Sequence, residues 1–341
     1  MTIASIPLPA VPDARQATGP QVSTWQQALK DAIRDPAVLC QELELPLELA
    51  SRAAAQDFPL FAPRSYVARM QKGNPRDPLL LQVLPLDEET RERHDFSVDP
   101  VGDAAASLQP GLLHKYAGRV LMVTTGACAV HCRYCFRRHF PYADSPRSVE
   151  AWQPAIEQIA ADCSIHEVIL SGGDPLTLVD RTLSQLAEQI AAIPHVRRLR
   201  VHTRLPLMIP ERVTPELLAW LTGTRLATVV VIHANHAAEL AGTAVRRLVQ
   251  AGIPVLNQAV LLRGVNDTVE AQAELSERLI DLGVIPYYLH QLDRVQGAAH
   301  FEVPISEGLA LMEQLRQRLP GYAIPRYVQE IAGEPYKVGL E

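Results

Sequence analysis

The feature that most constrains the fold of this chain is an alternation of apolar runs and amphipathic stretches that begins near residue 119. Six apolar runs are typical of buried strands, and stretches with a helical period separate them at intervals of roughly 30 to 45 residues. Repeated β-α units predict an α/β fold with a parallel sheet, but do not distinguish a partial barrel from a doubly wound sheet. The predicted strands are Val120–Thr125, Glu167–Ser171, Arg198–Thr203, Ala227–Ile232, Val255–Leu262 and Pro286–His290.

Helical periodicity accounts for most of the remaining chain. From about Thr24 to Ala55 apolar residues recur every three or four positions, which predicts short amphipathic helices. The helices predicted between and after the strands are Val149–Ala161, Leu178–Ile193, Thr214–Leu221, Ala237–Ala251, Val269–Leu282 and Ser306–Leu319.

Composition narrows the class of protein. The chain has 341 residues, 48% hydrophobic and 21% charged, which suits one large α/β domain with an appended subdomain. A formal net charge of −6 without a long basic run gives no electrostatic basis for binding nucleic acid or an anionic membrane. No apolar stretch is long enough to cross a bilayer, and the first residues lack a basic region followed by an apolar one. We therefore expect a cytoplasmic protein that acts on a small molecule, with isolated Cys40 and Cys163 buried as small apolar residues.

Three cysteines in one loop carry the clearest chemical signal. Cys128, Cys132 and Cys135 form a C-x3-C-x2-C pattern directly after the first predicted strand. Such a loop can bond three irons of an iron–sulfur cube and leave the fourth iron open. The same thiols with His139 could instead enclose a structural zinc ion. The position favours the iron–sulfur interpretation, because active sites of α/β barrels lie at the C-terminal ends of the strands.

Polar residues follow other predicted strands in the same way. Each would be an ordinary loop residue alone, but the C-terminal ends of parallel strands meet at one face, so we expect these side chains to share a site. The paired glycines allow a close backbone approach that a Cβ atom would exclude. The positions are Ser171, Gly172, Gly173, Asp174, His233, Gln258 and Asp293.

The cysteine loop resembles the radical S-adenosylmethionine superfamily, with an aromatic residue beside the last cysteine. The strings CRYCFRRHF at residues 132–140 and KGNPRDPL at residues 72–79 are similar to the lysine 2,3-aminomutase family within that superfamily. The resemblance extends over about residues 60 to 341 and implies a partial (β/α)6 TIM-like barrel with an N-terminal helical subdomain. The expected division is a flexible tail at 1–22, the helical subdomain at 23–110, the barrel at 111–320 and a short C-terminal segment at 321–341.

The resemblance also implies cofactors and site residues. It implies a [4Fe-4S] cluster on Cys128, Cys132 and Cys135, together with S-adenosylmethionine and pyridoxal 5'-phosphate. It places Ser171, Gly172, Gly173, Asp174, His233 and Gln258 near S-adenosylmethionine. It places Lys337 and Arg119 at pyridoxal phosphate, with Lys337 as the catalytic lysine, and assigns substrate binding to Arg137, Asp293 and Glu330. Lys115 and Tyr116 are weaker candidates near the cofactor phosphate.

The activity implied is a radical isomerisation of L-α-lysine to β-lysine by 2,3-amino migration, which acid–base steps alone cannot achieve because the C3 hydrogen is not acidic. Glu330 departs from the aspartate of the family's lysine enzymes, although the charge is kept. The sequence around Lys337 most resembles the subgroup that supplies (R)-β-lysine for modifying elongation factor P. We expect a one-electron reductant as a partner and a homo-oligomer. Two alternatives remain open at this point, an aminomutase for another amino acid such as glutamate and a zinc-stapled binding module.

Overall fold

The computed structural model describes residues 24–240 and 242–340, so the expected tail at 1–22 lies outside the described residues. A sheet of ten strands runs through this part of the chain, and every strand pairs with its neighbour in sequence, from β1 to β10. Pairing is parallel from β3 to β9 and antiparallel at both ends of the sheet. The strands are β1 Ser107–Gln109, β2 Leu112–Tyr116, β3 Arg119–Thr125, β4 Glu167–Gly172, β5 Arg198–Thr203, β6 Ala227–Ile232, β7 Val255–Val260, β8 Ile285–His290, β9 Arg326–Gln329 and β10 Val338–Gly339.

The sheet confirms the α/β prediction and the partial-barrel alternative. The six predicted strands correspond to β3 to β8; two have the predicted bounds, and the ends of the others differ by one or two residues. A parallel sheet in which each strand pairs with its sequence neighbour curls in one direction, whereas a doubly wound sheet reverses its strand order. Four further strands were not predicted, because β1, β2, β9 and β10 have between two and five residues and no apolar run.

Helices follow the parallel strands and cover the outside of the sheet. Thr214 caps the helix that begins at Pro215, and its hydroxyl accepts from the backbone N–H of Leu217 at 3.2 Å. The predicted helix Ala237–Ala251 is a 3-10 turn, Ala237–Glu239, and a separate α-helix. The α-helices after β3 are α6 Gln153–Ala161, α7 Asp180–Ala191, α8 Leu205–Met208, α9 Pro215–Thr222, α10 Gly242–Gln250, α11 Val269–Asp281 and α12 Ile305–Arg318. We number these after five N-terminal helices, α1 Trp25–Lys30, α2 Pro36–Glu42, α3 Arg52–Asp57, α4 Arg64–Val67 and α5 Pro78–Leu81.

The N-terminal helices pack on the barrel and share its hydrophobic core. Cys40 in α2 is fully buried, as predicted, whereas Cys163 is exposed and that prediction was wrong. Cys163 lies in the turn between α6 and β4, where it faces away from the core. The proposed domain boundaries stay a prediction; the sheet itself begins before residue 110 and ends beyond residue 320. None of the helices within the described ranges has the length and apolar character needed to cross a bilayer.

Candidate active site

A cavity of about 480 Å³ lies inside the curved sheet, bounded by β2 to β9, the cysteine loop at residues 126–140 and the segment around Lys337. The weaker candidates Lys115 and Tyr116 line it, and so do eight of the other predicted site residues. These are Arg119, Arg137, Ser171, His233, Gln258, Asp293, Glu330 and Lys337. Residues more than 200 positions apart in the chain therefore face one space large enough for a ligand of the size of a small cofactor.

The cysteine loop brings its three thiols together next to this cavity. Burial first, and then the neighbouring Cys132 thiol, raise the pKa of Cys135 to about 11, and burial and the other two thiols raise the pKa of Cys128. We find no three His, Cys, Asp or Glu side chains that could together hold one metal ion within residues 24–240 and 242–340. A cube bonds each thiol to a different iron, so its ligands stand further apart than those of one zinc ion. His139 lies instead against the carbonyl oxygen of Gln296, at 3.4 Å.

Two arginines within the cysteine loop anchor it to the N-terminal helices. The buried Glu89 carboxylate accepts from Nε of Arg133 at 2.8 Å and from Nη1 of Arg138 at 3.1 Å. Both guanidinium groups stack on the ring of Phe58, at 5.0 and 4.7 Å. These contacts hold the backbone on both sides of Cys135 against the N-terminal part of the chain.

Arg204, directly after β5, is a residue to which the sequence interpretation assigned no role. Its Nη1 lies 2.7 Å from Sγ of Cys132, and its Nε donates to the carbonyl of His233 at 3.0 Å. The far side of its guanidinium pairs with buried Glu239. Arg204 therefore links the cysteine loop to the strand ends where S-adenosylmethionine was predicted. In the sequence, the only indication of this role is that a charged residue comes directly after a predicted buried strand.

The paired glycines act on the cysteine loop itself. A Cβ atom on Gly173 would lie 2.3 Å from the carbonyl oxygen of Ala127, and Gly172 has a φ of +112° with Thr125 O at 2.8 Å from its would-be Cβ. The Gly173 N–H donates to Thr125 O at 2.7 Å. The expected close approach is present, but its partner is the backbone of the loop, so the glycines seat the loop against β4.

Asp174 is a structural link between neighbouring strand ends. Its carboxylate accepts from the Thr203 hydroxyl at 2.7 Å and from the backbone N–H groups of Arg204 and Leu205 at 2.7 and 3.0 Å. Burial raises its pKa, and the hydrogen bonds from Thr203 and the backbone oppose that rise. Asp174, Gly172 and Gly173 do not line the cavity, whereas neighbouring Ser171 does.

Three neutral histidines form one wall of the cavity. Nε2 of His233 lies 3.3 Å from Nδ1 of His202, and His290 ends β8, two strands beyond β6 in the sheet. Burial, followed by Arg204 and Lys337, lowers the pKa of His233 to about 3, and burial likewise lowers the pKa values of His202 and His290. This wall therefore presents uncharged nitrogen atoms beside Lys337. Neither His202 nor His290 was assigned a role from the sequence.

Five side chains of alternating charge form a line that we call the charge chain: Arg137, Asp103, Lys115, Glu330 and Lys337. Arg137 Nε donates to Asp103 Oδ2 at 2.6 Å, and Lys115 Nζ bridges Asp103 at 2.7 Å and Glu330 at 2.9 Å. The other oxygen of Glu330 pairs with Lys337. Burial acts to raise the pKa of Glu330, but Lys337 and Lys115 outweigh it and lower the pKa to about 2. The charge chain joins the cysteine loop to the predicted cofactor lysine.

Asp293 is the acid of the cavity that lacks a cation at hydrogen-bond distance. Its Oδ1 is buried and has no hydrogen-bond partner among the described residues. Burial, and then the nearby Glu330 charge, raise the pKa of Asp293 to about 7. A buried acceptor of this kind is costly unless a donor fills it, so it marks a position for a ligand cation.

The end of the cavity opposite the cysteine loop is basic. Arg119 lies over the ring of Tyr116 at 4.6 Å, and Arg200 and Arg326 face the same space. Guanidinium groups of this kind suit a phosphate, and the primary amine of Lys337 suits an aldehyde. The residues present therefore fit pyridoxal phosphate, and the thiol triplet fits a cluster with an open iron.

Comparisons with known proteins agree with this geometry. The profile of the Radical SAM superfamily matches residues 122–275, which contain the cysteine loop and the strands beyond it. The solved structure of Streptococcus suis SuiB bound to S-adenosylmethionine is similar at a TM-score of 0.49 and 13% identity, covering 63% of this chain and 51% of that one, which adds nothing to the assignment.

Similarity to curated relatives extends beyond that domain. The L-lysine 2,3-aminomutase of Escherichia coli is 46% identical over 94% of this chain and 96% of its own length. That of Haemophilus influenzae is 45% identical over 92% and 94%. The Clostridium subterminale enzyme is 36% identical over 79% of this chain and 65% of its own length. With the cysteine loop, the cavity and this identity over almost the whole chain in agreement, the protein belongs to the L-lysine 2,3-aminomutase family of radical S-adenosylmethionine enzymes.

Proposed function

We propose that the protein is a radical isomerase that converts L-α-lysine to β-lysine by moving the amino group from C2 to C3. The observation that carries this proposal is the cavity whose lining contains both Lys337 and Arg137, which lies two residues after the last cysteine of the loop. Family membership supports the same activity. We assign Cys128, Cys132 and Cys135 to a [4Fe-4S] cluster.

The cofactors supply the chemistry that side chains lack. When bound, the cluster and S-adenosylmethionine provide the radical chemistry that an unactivated C–H bond needs, and pyridoxal phosphate provides a π system for the migrating nitrogen. Ser171, His233 and Gln258 face the cavity where S-adenosylmethionine is proposed to lie, with the Gly172, Gly173 and Asp174 turn behind them. The neutral histidine wall adds no charge that would repel a sulfonium ion.

The charge chain and Asp293 position the substrate. Arg137 is proposed to bind the α-carboxylate, and Glu330 with Asp293 the distal ammonium group. In the structure Lys337 occupies one oxygen of Glu330. Because Lys337 must be neutral to carry the cofactor, its withdrawal from Glu330 leaves an oxygen for the incoming ammonium. One cation replaces another, so the buried carboxylates stay compensated.

At the basic end of the cavity, Arg119 is proposed to bind the phosphate of pyridoxal phosphate, and Lys337 to bind its aldehyde carbon. The strands and segments that line the cavity are proposed to limit the access of water to the bound groups. Exclusion matters because a radical that meets solvent is quenched before it can react productively.

The wider setting is also part of the proposal. We place the protein in the cytoplasm as a homo-oligomer that receives single electrons from a reductant, and divide it at residues 22, 110 and 320 as predicted from the sequence. The likeness of the segment around Lys337 to the subgroup described above supports a role for the product, (R)-β-lysine, in modifying elongation factor P. Intact mass measurement of elongation factor P from cells with and without this gene tests that role.

The alternatives fit the site less well. A glutamate enzyme needs a cation for the distal carboxylate, whereas the cavity offers Asp293 and Glu330 at that end. A zinc-stapled binding module does not explain the buried charge chain or the buried Asp293 oxygen that has no hydrogen-bond partner among the described residues.

Anaerobic reconstitution tests the proposal directly. Protein loaded with iron, sulfide and pyridoxal phosphate is incubated with S-adenosylmethionine, dithionite and L-lysine, and β-lysine is measured by chromatography after derivatisation. L-glutamate in a parallel reaction serves as the matched substrate control. Formation of β-lysine but not β-glutamate is expected; β-glutamate alone, or no product from a fully loaded cluster, contradicts the proposal.

A further inference from the structure

We propose that Asp103 and Lys115 determine the length of the amino acid that the cavity accepts, because they fix the separation between Arg137 and Glu330. This inference rests on the proposed function, in which Arg137 and Glu330 bind the two ends of the substrate. Asp103 and Lys115 act through the residue that each holds, so both are positioning residues. Asp103 lies outside the cavity lining, behind Arg137 and Lys115.

The position of the Lys115 ammonium group is fixed by its contacts within the protein. Its ammonium group has three N–H donors, and three acceptors surround it. They are the carbonyl oxygen of Val101 at 2.9 Å, Oδ1 of Asp103 at 2.7 Å and Oε1 of Glu330 at 2.9 Å. Val101 and Asp103 precede β1, whereas Glu330 follows β9, so Lys115 ties the two ends of the sheet together. The carboxylate of Glu330 is thereby fixed relative to the segment before β1.

Asp103 fixes the other end of the span. Its backbone N–H donates to Oδ1 of Asp99 at 2.8 Å, which anchors the turn that carries it. Its carboxylate accepts from Arg137 Nε at 2.6 Å and lies 3.5 Å from Nη2, so it binds the guanidinium from the side. Nη1 of Arg137 makes no hydrogen bond to any residue in the described ranges and remains for a carboxylate that enters the cavity.

The span between Arg137 Nη1 and the Glu330 carboxylate therefore does not depend on the substrate. An α,ω-diamino acid of matching length can reach both groups, whereas one that is a methylene shorter reaches only one of them. Without the Lys115 cation, Asp103 and Glu330 become two buried acids with no charge between them. Glu330 then moves away from Asp103, and the preference for one chain length falls.

The experiment compares L-lysine with L-ornithine, which is one methylene shorter, in the reconstituted holoenzyme. Steady-state kcat and KM are measured for both, and binding of both amino acids is measured by calorimetry without S-adenosylmethionine. For Lys115→Gln we expect kcat/KM for lysine to fall about 30-fold, mostly through KM, and the preference for lysine over ornithine to fall about tenfold. Asp103→Asn should shift the preference in the same direction.

Lys72→Gln is the matched control, because Lys72 also pairs with a glutamate at 2.9 Å but on the exposed surface. Its preference for lysine should equal that of the wild type. A purely structural role for Lys115 lowers activity and binding with both amino acids alike, so an unchanged preference in folded Lys115→Gln overturns the inference. Should that variant fail to fold, Asp103→Asn decides by the same ratio. A wild-type protein that converts and binds neither amino acid overturns the proposed function as well.

Discussion

The two ends of the cavity are built in different ways. At one end, the cysteine loop is seated by backbone contacts to Gly172 and Gly173 and by arginines that belong to the loop itself. Away from that loop, the charge chain leads from Arg137 to Lys337 and joins side chains from segments more than 200 residues apart. The first end carries a recognisable sequence motif. The charge chain forms only when the folded sheet brings its residues together. We therefore expect that mutations can affect one end of the cavity without the other.

Replacement of Lys337 should have the largest effect. Lys337→Ala removes the proposed attachment point of pyridoxal phosphate, so isomerisation is expected to fall to background, while the cysteine loop keeps its contacts. The measurement is β-lysine formation alongside iron content and the electron paramagnetic resonance spectrum of the reduced cluster. Lys72→Ala is the control, since Lys72 is an exposed lysine distant from the cavity. Loss of iron together with activity would show that the two ends are not separable.

Gly173→Ala should disturb the other end alone. The added Cβ lies 2.3 Å from the carbonyl oxygen of Ala127, so the cysteine loop has to shift at a cost of about 1 to 3 kcal/mol. We expect iron incorporation to fall severalfold and pyridoxal phosphate bound at Lys337 to be retained, as measured by its visible absorbance.

Gly321→Ala provides the matched control, because a Cβ atom there meets nothing within 4 Å. Its iron content should equal that of the wild type. Normal cluster loading in Gly173→Ala would mean that the close approach does not position the cysteine loop.

The sequence predicted the cysteine end of the cavity better than it predicted the charge chain. The six β-α units, the cysteine triplet and the glycine pair are local patterns, and the structure places them as expected along β3 to β8. Asp103 was missed because it lies in a loop without any motif, and its pairing with Lys115 and Arg137 depends on how the sheet curves. The short strands β1, β2, β9 and β10 were missed for a related reason, since pairing with the rest of the sheet rather than local apolar pattern defines them.

Asp293 gives the charged end a pH dependence that the cysteine end should lack. Burial and Glu330 raise its pKa to about 7, so its carboxylate is neutral below that pH and charged above it. We expect KM for L-lysine to fall by roughly tenfold from pH 6 to pH 8, because only the charged form holds the distal ammonium strongly. His233, whose pKa is lowered to about 3, stays neutral throughout this range.

We expect Asp293→Asn to have a high KM for L-lysine that does not change between pH 6 and pH 8. If the change in KM seen in the wild type persists in this variant, another group causes it.

The raised pKa of Asp293 also has a consequence for stability. The folded protein binds this proton more tightly than the unfolded chain, so the contribution of Asp293 is present below about pH 4 and is lost as pH rises through about 7. The difference in urea unfolding between wild type and Asp293→Asn should change across that window.

The smallest effect concerns a thiol outside the cysteine loop. Cys163 is exposed in the turn before β4, so Cys163→Ser should change the free energy of unfolding by no more than about 0.5 kcal/mol and leave iron content unchanged. Cys132→Ser, at a thiol in contact with Arg204, should lose the cluster. Iron analysis after anaerobic reconstitution compares the two. Equal loss of iron from both variants would mean that the number of thiols, rather than the placement of the cysteine loop, governs cluster assembly. The structural difference between the two ends of the cavity would then not explain how the cysteine end binds iron.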